Sequence, residues 1–195
     1  MTLDPRGLRR CVGRFATGVT VVTCAYGAQR HGATVNSFTA VSLDPPLVLV
    51  SLDRRAKACE RLADNSFTIN VLAANQLDLA LHFAGRPQPG ARVPWADDDG
   101  VPRLRGTAAW VRCRPWQSYD GGDHILFLGE VQRYDTRNVE PLLFLGGEFR
   151  RPGVVLYELP RMVALDGQPI PDWVGRLHRL HELSDAGVEV DTGLG

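Results

Sequence analysis

Six consecutive positions, Leu47-Val48-Leu49-Val50-Ser51-Leu52, are almost wholly apolar and follow Asp44-Pro45-Pro46. A short apolar run behind a turn reads as a strand covered on both faces, so the chain must build a sheet around it. The rest of the sequence agrees. Val19-Thr20-Val21-Val22-Thr23-Cys24 is β-branched, Tyr26-Gly27-Ala28-Gln29 makes a turn, and a second strand covers residues 31–35, which together predict a hairpin. Strand patterns recur at residues 67–72, 107–112, 125–133 and 142–145. Strand thus outweighs helix, and closure would remove exposed edges. The expected class is mainly β with peripheral helices, the strands closing into a barrel.

Three helices are predicted at its periphery. Asp4 as N-cap and Pro5 at the first helical position open one, with Leu8, Cys11, Val12 and Phe15 at helical spacing and Gly18 to stop it. Asp53 caps a second, which carries Ala56, Cys59, Leu62 and Ala63 on one side and Arg54, Arg55 and Lys57 near its start. A third, over residues 75–83, leads into residues 85–100, whose Gly, Pro and Asp content predicts a long loop or flap. From Pro160 the texture changes to a linker with Gly167, Pro169 and Pro171, then a helix with Trp173, Leu177 and Leu180 on one face. The expected organisation is one domain over 1–159 and an appendage over 160–195, its short helix packing on the domain, a second subunit or a partner.

Lys plus Arg and Asp plus Glu are each 22 of 195 residues, so no basic field exists to hold a nucleic-acid backbone. No apolar run approaches the roughly 20 residues needed to span a bilayer, and the first residues lack a signal-peptide core. The expectation is a cytoplasmic protein without nucleic-acid or membrane partners. Cys11, Cys24, Cys59 and Cys113 lie far apart in apolar patterns and read as reduced, buried hydrophobes.

Chemistry concentrates in two segments. In Tyr119-Asp120-Gly121-Gly122-Asp123-His124, a polar glycine-rich loop ends on an apolar strand, which puts an imidazole at the mouth of a sheet. The same loop read more plainly is a turn whose Asp and His cap backbone groups. In Thr34-Val35-Asn36-Ser37-Phe38-Thr39-Ala40-Val41-Ser42, hydroxyl and amide groups cluster where one strand ends and another begins. Such groups suit the polar edge of an isoalloxazine ring, and suit equally a turn that satisfies its own backbone. His178 and His181 lack the order of a zinc-protease motif, Asp97-Asp98-Asp99-Gly100 reads as a solvated turn, and no G-x-G-x-x-G suggests a Rossmann site.

These segments, with Arg14-Phe15-Ala16-Thr17-Gly18, Asn65-Ser66-Phe67-Thr68-Ile69-Asn70, Phe83-Ala84-Gly85, Gly129 and Val131, resemble in order the flavin reductase domain family over residues 8–157. The resemblance implies a split β-barrel of FMN-binding type, a Greek-key barrel, that binds FMN or FAD, usually as a homodimer with flavin near the subunit interface. It implies Thr34, Val35, Asn36 and Ser37 along the ring, Ser42 near the ribityl or ring edge, and Phe83 in the same site. It also implies phosphate at Ser51, Arg54, Arg55 and Lys57, although those cations also read as a solvated helix face. It counts Gly122 and Asp123 among the cofactor-binding residues and puts His124 near the nicotinamide and the flavin ring, positioning NADH or NADPH. Phe149 and Arg150 match a late family segment with an aromatic residue and arginines.

The implied activity is NAD(P)H-dependent reduction of flavin for a separate monooxygenase component. A chain that retains FMN as an electron carrier or tailoring oxidoreductase, without rapid NAD(P)H turnover, is the alternative.

Overall fold

The computed structural model describes residues 3–87, 90 and 92–154. Every element below belongs to the unit Met1–Gly153. The expected boundary at 159/160, the linker, the terminal helix and the His178–His181 pair lie outside the described residues.

The chain runs α1 (Pro5–Val12), β1 (Thr17–Gly18), β2 (Thr20–Tyr26), β3 (Gln29–Val35), β4 (Thr39–Leu43), β5 (Pro46–Asp53), α2 (Lys57–Leu62), β6 (Phe67–Val71) and α3 (Leu77–Phe83). It continues with β7 (Trp95–Asp98), β8 (Val101–Leu104), β9 (Ala109–Gly121), β10 (His124–Thr136), β11 (Leu143–Leu145) and β12 (Glu148–Arg150). Seven strands form one antiparallel sheet in the order β3-β2-β6-β9-β10-β5-β4, beside a three-stranded sheet β1-β11-β12 and the hairpin β7-β8. The mainly β class with peripheral helices holds.

The barrel does not. β3 and β4 remain the two edges of an open sheet, and no ladder joins them. The cause lies in β5. β4 pairs only with its first half, Thr39 opposite Leu49 and Leu43 opposite Pro46, which leaves the outer edge of residues 50–53 without a strand. Edge N–H and C=O groups still need partners. Ser37 supplies them: its hydroxyl accepts from the Ser51 N–H at 2.9 Å and donates to the Ser51 carbonyl at 2.8 Å. One side chain therefore spans the seam where a ladder would close a barrel.

The core has two parts, on opposite faces of β2. Val22 and Cys24 join Val50, Leu52, Leu62, Phe67, Ile69 and Cys113 in one, and Val19 and Val21 join Leu72, Leu79, Leu104 and Leu142 in the other. β2 is thus the strand buried on both faces. β5, expected to be so, buries Val48, Val50 and Leu52, while Leu49 and Ser51 on its other face are half-exposed.

Three local expectations also change. α1 is capped by Asp4, which accepts from the Arg6 and Gly7 N–H groups, but it ends at Gly13 and buries no residue, so Cys11, Leu8, Val12 and Phe15 are exposed. The segment read as a loop contains β7 and β8, joined through Asp99 and Gly100, whose φ of 55° and 81° suit a hairpin turn with two left-handed positions. Asp98 is buried there between Arg112 and Arg133 rather than solvated, and the wholly buried Asn70 accepts from the Leu104 N–H at 2.8 Å, pinning β8 to the core.

Candidate active site

The seam left by the open sheet is a recess of about 330 Å³. One side is the end of β3 and the residues after it, Ala33 to Ser37 in sequence; the other is Ser51, Leu52, Asp53 and Ala56. Phe83 and Ala84, at the end of α3, and His124 complete it. The volume is at the low end of small-molecule sites, and the lining combines an apolar body with a few polar groups.

His124 is held firmly. It is the first residue of β10, opposite Asp53 of β5 and Gly121 of β9. The β9–β10 turn consists of Gly122 and Asp123, and Gly122 has a φ of 80°, which suits glycine at the first position of a tight hairpin turn. Arg54 clamps this turn: its Nε donates to the Gly122 carbonyl at 2.5 Å, its guanidinium pairs with Asp120, and its N–H donates to the Asp123 carbonyl. Asp120 in turn accepts from the Gly122 N–H at 2.9 Å.

The imidazole Nδ1 lies 2.7 Å from Asp123 Oδ1. That hydrogen bond, and then the charge of the ring, hold the Asp123 carboxyl below its ordinary value, so it accepts and Nδ1 carries the proton. In the neutral ring Nε2 is then an acceptor turned away from Asp123. The Arg55 side chain and then its N–H hold Asp53 well below the usual carboxylate range.

The expected site residues divide into two groups. Thr34, Val35, Asn36, Ser37, Ser51, Phe83 and His124 line the recess together. Two of their hydroxyls are already engaged, Thr34 Oγ1 donating to the Ala80 carbonyl at 2.8 Å and Ser37 bridging to Ser51. The Asn36 side chain is exposed and has no hydrogen-bond partner among the described residues.

The expected helix start is corrected as well. α2 begins at Lys57 with Ala56 at its N-cap, and Asp53 is the last residue of β5, its carboxylate taken by Arg55 at 2.7–3.0 Å. Arg54 and Arg55 are therefore paired locally, and Gly122 and Asp123 form the turn beside the recess. Ser42 accepts from the Asp44 N–H near the far end of β4, and Phe149 packs edge-on against Phe144 at 5.2 Å while Arg150 pairs with Glu148. These three do not line the recess.

Sequence reasoning missed Ala33 and Ala84 as lining residues, while Leu52, Asp53 and Ala56 fall within the segment 51–57 that the resemblance implied for phosphate. Gly32 carried a readable signal: a Cβ there would lie 2.6 Å from the Phe83 ring, so the ring packs this closely against β3 only because that position is glycine. Among the described residues, no group of three or more His, Cys, Asp or Glu could hold a metal ion.

Residues 12–153 match the family model described as flavin reductase like domain. The chain is 42% identical over 152 residues to an NADH-dependent flavin reductase of a Rhodococcus species, covering 76% of this chain and 86% of that one. It resembles the solved NADH:FAD oxidoreductase SgcE6 of Streptomyces globisporus C-1027 in complex with NAD and FAD fragments, with a TM-score of 0.70, 40% identity and coverage of 78% and 97% of the two chains. It also resembles BorF, the flavin reductase component of a bacterial two-component tryptophan halogenase, with a TM-score of 0.68, 40% identity and coverage of 76% and 98%.

Proposed function

The chain belongs to the flavin reductase-like domain family and is an NAD(P)H:flavin oxidoreductase, and from that premise we propose that the seam between β3 and β5 is where its reaction takes place. The enzyme reduces FMN or FAD with NADH or NADPH and supplies the reduced flavin to a partner monooxygenase component. The observation that carries the assignment of the site is the recess itself, which brings an unpartnered amide, Asn36, and an anchored imidazole, His124, to one apolar-walled opening.

The residues fit a flat heteroaromatic ring. Asn36 and the backbone around it offer donors and acceptors to a polar edge, and Ala33, Val35, Leu52 and Phe83 offer an apolar bed. When bound, the flavin accepts a hydride from the nicotinamide, chemistry that belongs to the two cofactors. The protein's own work is orientation. Asp123 fixes the His124 tautomer, Arg54 fixes the turn that carries both, and Nε2 is left to accept from the incoming nucleotide. Of the three cations expected to meet phosphate, Lys57 is the one without an ion pair among the described residues, which favours it over Arg54 and Arg55.

We infer a homodimer, a reading supported by what one chain leaves uncovered. Leu49, Leu126 and Leu128 are half-exposed on the outer face of the sheet beside the exposed Tyr119, and α1 presents Leu8 and Val12 to solvent. A second copy covers such a face at little cost in polar groups.

We assign the protein to the cytoplasm, where its four free cysteines stay reduced, with no nucleic-acid partner, in keeping with its balanced charge. Among the described residues no helix is long and apolar enough to cross a membrane.

The experiment is an absorbance assay of NADH or NADPH with excess FMN or FAD, on protein sized by sedimentation. Steady nicotinamide oxidation by a particle of twice the chain mass is expected. A tightly held flavin without turnover contradicts the catalytic reading, and a monomer at assay concentration contradicts the dimer.

A further inference from the structure

A second hollow, a groove of about 400 Å³, opens at the far end of the β9–β10 ladder from the His124 turn. Gly106, three residues ahead of β9, and Arg137, directly after β10, both line it, because the pair Ala109–Thr136 closes that end of the ladder. Gln76 lines it where α3 begins, whereas Phe83 lines the recess where α3 ends, about 10 Å of helix away. The two hollows share no lining residue.

The walls of the groove are fixed from within. Gln76 uses both ends of its amide on the backbone, Oε1 accepting from the Ala73 N–H at 3.0 Å and Nε2 donating to the Arg105 carbonyl at 2.8 Å. The Ala74 N–H donates to the Glu140 carbonyl at 2.8 Å and Ala73 pairs with Pro141, which stitches the loop after β6 to the loop after β10. The Arg137 N–H donates to the Ala108 carbonyl at 2.8 Å. A Cβ at Gly106 would lie 3.1 Å from Gln76 Nε2 and 3.7 Å from Arg137 Nη1, so the Arg137 guanidinium lies beside this glycine, within the groove.

Its charge is unbalanced. Along β9 and β10, Arg112, Arg114 and Arg133 each pair with a carboxylate, and Arg150 pairs with Glu148. Arg137 and Arg151 line the groove together, both exposed, and neither has an ion pair or a side-chain hydrogen bond among the described residues, although Glu140 lines the same groove. Two guanidiniums in one hollow repel each other, and an anion between them turns that repulsion into two attractions.

We propose that this groove binds a small organic anion, a hydroxy or amino compound whose carboxylate or phosphate is held between Arg137 and Arg151 and whose donor group reaches Glu140. The forked N–H donors of arginine suit either oxyanion, and an ionised Glu140 supplies the acceptor for a hydroxyl or ammonium group. The volume is within the range of small-molecule sites. No residue of the recess takes part, so the assignment holds wherever the flavin lies.

The test is isothermal titration of the full chain, with and without saturating FMN, by glycerol 3-phosphate, malate and succinate, on wild type, Arg137→Gln, Arg151→Gln and Glu140→Ala. One site per chain is expected for glycerol 3-phosphate or malate, the tighter of the two telling phosphate from carboxylate. Each arginine variant is expected to raise its Kd about tenfold, the loss of a charge-assisted hydrogen bond, while turnover of NADH and FMN changes less than about twofold. Malate is expected to bind several-fold more tightly than succinate, which lacks the hydroxyl, and Glu140→Ala to remove that difference.

Wild type that binds none of the three anions overturns the proposal, and so does a Kd unchanged in both arginine variants. Binding seen only without FMN also overturns it, since the anion then belongs to the flavin's own site. Malate that binds no more tightly than succinate leaves the arginine pair standing and overturns the contact with Glu140 alone.

Discussion

His124→Ala is expected to raise KM for NAD(P)H by about tenfold while KM for the flavin changes less than about twofold. The asymmetry follows from position. His124 stands at one end of the recess on the first residue of β10, and the contacts that fit a flavin come from β3, β5 and α3 instead. Its ring is oriented through Nδ1 by Asp123 at 2.7 Å, which leaves Nε2 as the group that can accept from an incoming carboxamide. Removing the ring removes that acceptor and leaves the flavin's bed in place. Steady-state kinetics with each substrate varied in turn checks this. Equal loss on flavin and nucleotide would mean that His124 supports the recess as a whole.

Gly129→Ala is expected to destabilise the fold by about 2–3 kcal/mol, near the upper end for overpacked cores, and to lower Tm by roughly 5–10 °C for a chain of this size. A Cβ at Gly129 would lie 2.6 Å from Phe67 Cζ and 2.7 Å from Cys113 Cβ. Both neighbours are wholly buried, Phe67 at 1% and Cys113 at 0% exposure, so neither can swing into solvent. The Cys113 Cβ is attached directly to the β9 backbone, which pairs β10 here through an irregularity between Leu128 and Gly129. Relief would require moving a central strand. Thermal unfolding followed by circular dichroism measures the effect, and a Tm within about 1 °C of wild type would show that the core yields locally.

The strands were readable in the sequence because β-branched and apolar runs report directly on burial. The predicted hairpin at residues 19–35 is observed as β2 and β3, with Tyr26 opposite Gln29 and Gly27 in the turn at a φ of 58°. Closure was not readable. It depends on how far β4 extends along β5, and the single hydroxyl of Ser37 that spans the gap has no periodic signature.

The hairpin at Asp99-Gly100 was overlooked for a different reason. Three successive aspartates look solvated until Arg112 and Arg133, distant in sequence, are seen to enclose Asp98. Within the site, Asn36 and His124 stood out because polar groups at strand ends break the apolar pattern, whereas Ala33, Ala56 and Ala84 carry no chemistry and matter only for the space they leave. The cations of residues 54–57 could not be ranked from sequence. Asp120, which engages Arg54, is identified as its partner only once β5, β10 and β9 lie side by side, whereas Asp53, two residues from Arg55, reads in the sequence as a helix cap and not as a partner for that arginine.

The central claim is that the flavin ring lies in the seam between β3 and β5, against Asn36 and facing His124. A crystal structure of the full chain with FMN or FAD tests it most directly. The account predicts the isoalloxazine in that recess, its polar edge within hydrogen-bond reach of residues 34–37 and one face open toward the imidazole. A ring bound elsewhere, with the recess left to solvent, would contradict it.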